Sequence, residues 1–508
     1  MSSRRQFLKS ATLATAAFAA TPSVFASTSS GRSGNGGKKA PVRVIFLVSD
    51  GMSQGVFSMA DVFSRQVRKT DTQFAKLMQH PASAKGLFEC YSLESFVTDS
   101  AAAATAWGSG VRILNRGINT LADGQKLTPI LPLIKDLGFG TGLVSTARVT
   151  HATPAGFAAA VAQRDSEEDI APQYLDVVDV LLGGGTEVYD PKQRKDGEDL
   201  YTKFREKGYE ISLSLEELRK APKDKKILGL FAKGHLPYTV DHKNDPKLMA
   251  DTPTLADMTA HALAVLEQNP QGFLLQVEGA RIDHAAHSND AAGILWDQLA
   301  FDDAVGVALE FQSRHPETLV VVTSDHGNSN PGLNGLGDGY ADANSSFARI
   351  ALAKASFDII QRQFRDAGSD RDKPVSAEKA KAIVDGATGL ELTLEDAELV
   401  ARAHAGENVG EINVLHRRFS GILGQVLGNL NGVGWTGSQH TEDFTIITAL
   451  GPGQDGYGKL IKNTDNFGIF CDLFGVTHKN PSLTLEESLK ISKKTAQITE
   501  GRRLVDWA

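Results

Sequence analysis

Five short apolar runs punctuate the chain: Val42 to Val48, Thr141 to Ser145, Val177 to Leu182, Phe273 to Val277 and Leu319 to Thr323. Each is rich in β-branched residues and apolar at successive rather than alternate positions, the pattern of strands buried on both faces of a parallel sheet. Helical stretches lie between them, such as Leu255 to Gln268 and Ala291 to Phe311. This alternation predicts an α/β fold: a mostly parallel central sheet flanked by helices on both faces.

The pattern breaks over residues 328–436. Asn328 to Ser346 is rich in Gly, Asn and Asp and predicts loop. Phe347 to Phe364, Ser376 to Asp385 and Leu392 to His404 predict helices, and strand character returns at Phe444 to Ala449. The region reads as a helical insertion or cap on the sheet. The tail from Asn480 to Ala508 is charged and partly helical, and no function attaches to it.

The N-terminus follows other rules. Arg4-Arg5 precedes a weakly apolar stretch, Ala11 to Ala20, and Val24-Phe25-Ala26 offers small residues for cleavage. This predicts a twin-arginine signal peptide over residues 1–26, too short and polar to be a transmembrane helix. Residues 27–40 are Ser- and Gly-rich and predict a flexible linker. A catalytic domain is then expected over 41–508, although length alone would suggest about three domains. The expected location is periplasmic or secreted, without stable membrane insertion.

Composition adds limits. The net charge is −8 with no long basic run, which opposes nucleic acid as a dedicated partner. Two cysteines, Cys90 and Cys471, make no disulfide framework, and one long-range bridge between them stays open. A homodimer also stays open.

The chemistry-bearing residues recur just past apolar strands, where open α/β sheets place their sites. Val277-Glu278-Gly279-Ala280-Arg281-Ile282-Asp283-His284-Ala285-Ala286-His287 holds two acids and two histidines, residue types that suit zinc, within ten residues. Asp283 and His287, four apart, would share one helix face. Asp325-His326 follows the run ending at Thr323, and Asp50 follows the run ending at Val48. Alone, each cluster reads as well as a helix cap or a solvated turn. His440, in Gly437-Ser438-Gln439-His440-Thr441, gains weight only as a missing ligand. Ser100, in Thr98-Asp99-Ser100-Ala101-Ala102, is expected where a strand end runs into an alanine-rich helix. There the free amides favour a phosphate, though Asp99 or Ser100 alone reads as an N-cap. Arg164 offers a bidentate fork for phosphate oxygens, although most arginines are merely on the surface.

At these residues the sequence resembles the alkaline phosphatase family. The matching segments are Val48-Ser49-Asp50-Gly51-Met52, Thr98-Asp99-Ser100-Ala101-Ala102, His151-Ala152-Thr153-Pro154-Ala155, Val277 to His284, Thr323-Ser324-Asp325-His326 and Gly437 to Thr441, in the family's order. The resemblance implies that phosphate monoesters are hydrolysed through a phosphoserine at Ser100. It implies one zinc on Asp283, His287 and His440, and a second on Asp50, Asp325 and His326. A third ion, normally magnesium, would lie on Asp50, Thr153 and Glu278. Arg164 matches the phosphate-binding arginine, with Asp99 orienting it. His151 and His284 stand where some members carry Asp and Lys and others, vertebrate ones included, carry His. Imidazole there can favour zinc at the third position. Asn328 follows Asp325-His326-Gly327 where many members have another residue.

The nearest alternatives share the fold: a metal-dependent phosphodiesterase, a sulfatase or a cofactor-independent phosphoglycerate mutase. Asp325-His326-Gly327-Asn328 resembles the mutase, but the export signal opposes a cytoplasmic enzyme. The Ser100 segment lacks the Cys/Ser-x-Pro-x-Arg pattern of sulfatases, and Arg164 favours monoesters over diesters. Ser100 itself opposes a catalytically silent binding protein.

The export reading has a direct check. Changing Arg4→Lys together with Arg5→Lys is expected to stop export and leave residues 1–26 attached. Normal periplasmic levels of the double variant, read by fractionation and N-terminal sequencing, would contradict it.

Overall fold

The computed structural model describes residues 41–410 and 413–499. The signal and linker expectations, and the end of the tail, lie outside the described residues.

Among the described residues fourteen strands occur, in chain order β1 Val42–Ser49, β2 Ala84–Glu89, β3 Gly140–Arg148, β4 Val180–Gly184, β5 Glu210–Ser212, β6 Ile227–Leu230, β7 Gly272–Gly279, β8 Thr318–Thr323, β9 Gly327–Asn328, β10 Gly332–Leu333, β11 Val433–Gly434, β12 His440–Thr441, β13 Thr445–Leu450 and β14 Leu460–Lys462. Ten form the central sheet, in the order β14-β2-β13-β8-β1-β7-β3-β4-β6-β5. Every neighbouring pair is parallel except the two made by β13. The expected α/β sheet with helices on both faces is therefore present, with one reversed strand near an edge.

The five apolar runs became the sheet's interior strands because both faces are covered. Val44, Phe46 and Val48 of β1 pack on one side with Trp107, Phe157 and Phe470. Ile45 and Leu47 pack on the other with Met258, Phe301 and Val305 from the helices Leu255–Leu266 and Ala291–Arg314. Each fully buried side chain of this kind contributes about 1.5–3 kcal/mol, so the register of β1 is strongly fixed. That register sets the site. Val48 pairs with Glu278 of β7 on one side and Thr323 of β8 on the other, and Ser145 of β3 pairs with Glu278. The carboxyl ends of β1, β7 and β8 thus finish at one level, which β3 passes on its way to Arg148.

Two helices pack unusually close beneath that end. The helix Ser100–Ser109 is buried along its whole length. A Cβ on its Gly108 would fall 2.1 Å from the carbonyl oxygen of Gly156, in the helix Ala152–Ala158. The alanine-rich sequence serves this approach, and it sets the spacing between Ser100 and Thr153.

The insertion builds its own apolar cluster, including Phe357, Phe364, Val384, Val400 and Leu423. Its base is closed by the antiparallel pair β9–β12, which sets His440 opposite Asn328. Three expectations need correction. Phe347 to Phe364 is not one helix: a 3₁₀ turn, Arg349–Leu352, follows Ala343–Ala348, and a new helix starts at Phe357. The break is tertiary. Asp241 takes the Ser356 N–H and hydroxyl, and Asp290 takes the Phe357 N–H. Val97 to Asp99 is loop, not a strand end, because its neighbours bond to residues 113–115 instead of a sheet partner. Asn328 to Ser346 holds short strands and the start of a helix as well as loop.

Cys90 and Cys471 are buried free thiols in the same apolar cluster. Among the described residues no helix is long and apolar enough to cross a membrane.

Candidate metal and phosphate site

The site gathers at the carboxyl end of β1, β7 and β8. Asp50 follows β1 directly, Glu278 is the penultimate residue of β7 rather than past it, and Asp325 and His326 follow β8. Asp283 and His287 sit on the helix Arg281–His287, as their spacing predicts. Gly51 makes the turn after β1 with φ of +72°, and a Cβ there would lie 2.7 Å from Asp283 Oδ1. Only glycine lets the chain pass this close to the carboxylate.

Three histidines aim at the same centre, and their tautomers are fixed. A carbonyl can only accept, so each Nδ1 must carry the proton. Nδ1 of His326 donates to Gly327 O at 3.2 Å, that of His287 to Ser438 O at 2.9 Å, and that of His440 to Thr98 O at 2.8 Å. In its neutral form each ring therefore presents the Nε2 lone pair, as a metal-ligating histidine must. His287 Nε2 lies 3.1 Å from His440 Nε2 and 3.4 Å from Asp283 Oδ2. His326 Nε2 lies 3.0 Å from Asp325 Oδ2 and 3.7 Å from Asp50 Oδ1.

The donors fall into three overlapping groups with ligand atoms within 4.8 Å of one another: Asp283, His326 and His440; Asp50, Asp325 and His326; and Asp50, His151 and Glu278. The second is the set the resemblance implies. The first brings His326 next to Asp283 and His440, with His287 touching both. The third puts His151 beside Asp50 and Glu278. Thr153 is buried close enough to Glu278 to act on its carboxyl, yet its hydroxyl makes no hydrogen bond of normal geometry.

This centre calls for cations. Both oxygens of Asp50, Glu278 Oε1 and Asp325 Oδ2 are buried without a hydrogen-bond partner. An uncompensated buried carboxylate costs several kcal/mol. Burial first, then the Asp325, Asp283 and Glu278 carboxylates, drive the Asp50 pKa well above the ordinary range. Burial likewise pushes Glu278 up to about 7, against the Ser145 hydroxyl that donates to it. Burial and then the neighbouring His326 push His440 down to about 3, leaving it neutral. Acidic oxygens and neutral imidazoles suit divalent ions.

Ser100 opens its helix, and Asp99 is the cap: Asp99 Oδ1 accepts from Ala102 N at 2.9 Å. The serine hydroxyl is thus free of capping and lies 3.2 Å from His326 Nε2. The other oxygen of Asp99 accepts from Arg116 N and, at 3.1 Å, from Arg164 Nη1. Arg164 is no loose surface residue. Its Nη2 donates to His151 Nε2 at 3.1 Å, and burial together with Arg164 keeps His151 neutral.

His284 accepts from Arg281 Nη1 at 2.8 Å and lies 5.6 Å from the His151 ring, between centroids. A third imidazole, His235, completes a triangle with them, 4.5 Å from His284 and 5.8 Å from His151. Sequence reasoning missed it, although it follows the apolar strand β6 and the strand-end rule applies there too. Ser145 and Asn328 were missed as site residues as well; Asn328 Nδ2 donates to Asp283 Oδ1 at 2.6 Å.

The alkaline phosphatase family model matches residues 42–468. Alkaline phosphatase 4 of Bacillus subtilis is 34% identical over 383 residues, covering 73% of this chain and 76% of that protein. Alkaline phosphatase 3 of the same organism is 32% identical over 410 residues, covering 79% and 80%. Among solved structures, the alkaline phosphatase of Thermus thermophilus superposes with a TM-score of 0.82 at 33% identity, covering 90% of this chain and 96% of that one.

The Asn328 contact generates a prediction. Asn328→Ala frees the Asp283 carboxylate to turn, and zinc affinity is expected to fall roughly 10- to 100-fold, the usual effect of losing such a support. Competition against a chromogenic chelator measures it. Unchanged affinity would mean that the carboxamide does not hold Asp283 for a metal.

Proposed function

The chain belongs to the alkaline phosphatase family and hydrolyses phosphate monoesters, and from that premise we propose a phosphoserine route on three metal ions. The observation that carries this reading is the Ser100 hydroxyl, at a buried helix N-terminus, 3.2 Å from the nitrogen His326 turns into the carboxylate cluster.

The donor set fits the metals. Asp283, His287 and His440 would hold one zinc, and Asp50, Asp325 and His326 the second. Asp50, Glu278 and Thr153 would hold a third ion, magnesium by the family pattern, with His151 inclining the position toward zinc. When bound, such ions lower the pKa of a nucleophilic hydroxyl or water and neutralise charge on the phosphoryl oxygens.

The protein's own residues do the positioning. The free amides at the start of the Ser100 helix face an anion favourably. Arg164, steered by Asp99, takes two non-bridging phosphate oxygens as a fork. Ser100 Oγ attacks phosphorus and loses its proton as the ester P–O bond breaks, and the alcohol departs with a proton. Water then attacks the phosphoserine from the vacated side, the Oγ–P bond breaks, and inorganic phosphate leaves as Ser100 is reprotonated. The Arg4-Arg5 pattern and the apolar stretch after it support action in the periplasm or outside the cell.

Turnover of p-nitrophenyl phosphate by the purified protein is expected to vanish on chelation and return with zinc and magnesium. Arg164→Ala is expected to lower kcat/KM for this monoester by roughly 10²- to 10⁴-fold. Hydrolysis of bis-p-nitrophenyl phosphate, which has one of those oxygens esterified by a second aryl group, is expected to fall much less. Equal losses would contradict the monoester clamp.

A further inference from the structure

The two loops that carry Ser100 and His440 also carry aromatic rings. Phe96 lies four residues before Ser100, and Phe444 four residues after His440. At no more than about 3.6 Å per residue, each lies within roughly 14 Å of its catalytic-site neighbour, backbone to backbone. Tyr91 joins them, its ring centroid 5.1 Å from that of Phe96 and 6.0 Å from that of Phe444. Sheet topology puts all three at the site's end. Tyr91 and Phe96 follow the carboxyl end of β2, which runs parallel to the site strands, and Phe444 precedes the reversed strand β13. The His440 Nδ1 bond to Thr98 O ties the two loops together.

Phe96 is 72% exposed, with Val97 beside it 38% exposed. Its loop is not slack. Leu93 N bonds to Ile113 O, Ser95 N to Ser92 Oγ, Val97 N to Ser95 Oγ, and Asp99 N to Asn115 Oδ1. Tyr91 is fixed through its hydroxyl, which donates to Glu442 at 3.0 Å. Single exposed apolar residues need no explanation. A ring held outward by an anchored loop, backed edge-to-face by a second ring and on the loop that leads into Ser100, is a preorganised platform.

We propose that Phe96, backed by Tyr91 and Phe444, binds the leaving group of the substrate and favours monoesters that carry a planar aromatic or heterocyclic ring. This rests on phosphate monoester hydrolysis at Ser100. The phosphate is held by Arg164 and the metal centre, and the ring stacks on the Phe96 face, which tolerates any π-system because it reads no hydrogen-bond pattern.

The test compares each substrate with itself across variants, so leaving-group reactivity cancels. AMP and ribose 5-phosphate share the scissile ester and differ by the base; phenyl and methyl phosphate form a second pair with the ring attached directly. Phe96→Ala is expected to lower kcat/KM for AMP roughly 5- to 100-fold more than for ribose 5-phosphate, the range for loss of one stacked base, and Phe96→Trp to restore the preference. Selectivity confined to phenyl phosphate would place the ring directly on the phosphate and keep the proposal for aryl esters alone. Equal losses on all substrates, or a change in sedimentation showing that Phe96 joins two copies of the chain, would overturn it. A wild-type protein that turns over ribose 5-phosphate keeps the phosphatase reading even when the ring proposal fails, whereas one that turns over none of the four loses both.

Discussion

Four carboxylates, those of Asp50, Glu278, Asp283 and Asp325, are buried within one cluster at the ends of neighbouring strands. Such a concentration of acid is tolerable only with compensating positive charge. The protein supplies little of it directly. Arg164, which interacts with Asp50 and Asp283, is engaged by Asp99, and His151 and His440 are kept neutral by burial. The rest of the structure serves to hold the carboxylates and the three Nε2 lone pairs in place for divalent ions. The register of β1 against β7 and β8 levels the strand ends, Gly51 lets the chain pass Asp283, and the β9–β12 pair returns His440 after a long insertion.

Asp99 links the start of the Ser100 helix to Arg164. One of its oxygens caps the Ser100 helix and the other holds Arg164. Ser100 and Arg164 are therefore positioned by a single side chain, while the close packing of the helices Ser100–Ser109 and Ala152–Ala158 sets the spacing between Ser100 and Thr153. The two roles weighed for Asp99 and Ser100 resolve by division of labour: the aspartate caps, and the serine hydroxyl stays available.

Much of this was legible in the sequence. The central strands showed as unbroken apolar runs because they are buried on both faces. The candidate ligands showed because acids and histidines directly followed those runs. What stayed hidden depends on partners distant in the chain. β13 reads as a strand, but nothing local says that it runs against β8 and β2. The helix break before Phe357 comes from Asp241 and Asp290, and the loop before Ser100 from residues around Asn115. Asn328, Ser145 and His235 are single polar residues whose meaning lies in Asp283, Glu278 and His284 across the fold. Propensity and periodicity carry no information about such pairs.

The central claim is that the cluster exists to make Ser100 a nucleophile. The most direct measurement is acid quenching of the metal-loaded enzyme during turnover of a phosphate monoester, followed by peptide mapping of the trapped phosphate. The account predicts one phosphorylated residue, Ser100, in the peptide containing Thr98-Asp99-Ser100. Phosphate trapped on any other side chain, or full turnover in an enzyme whose serine has become alanine, would contradict it.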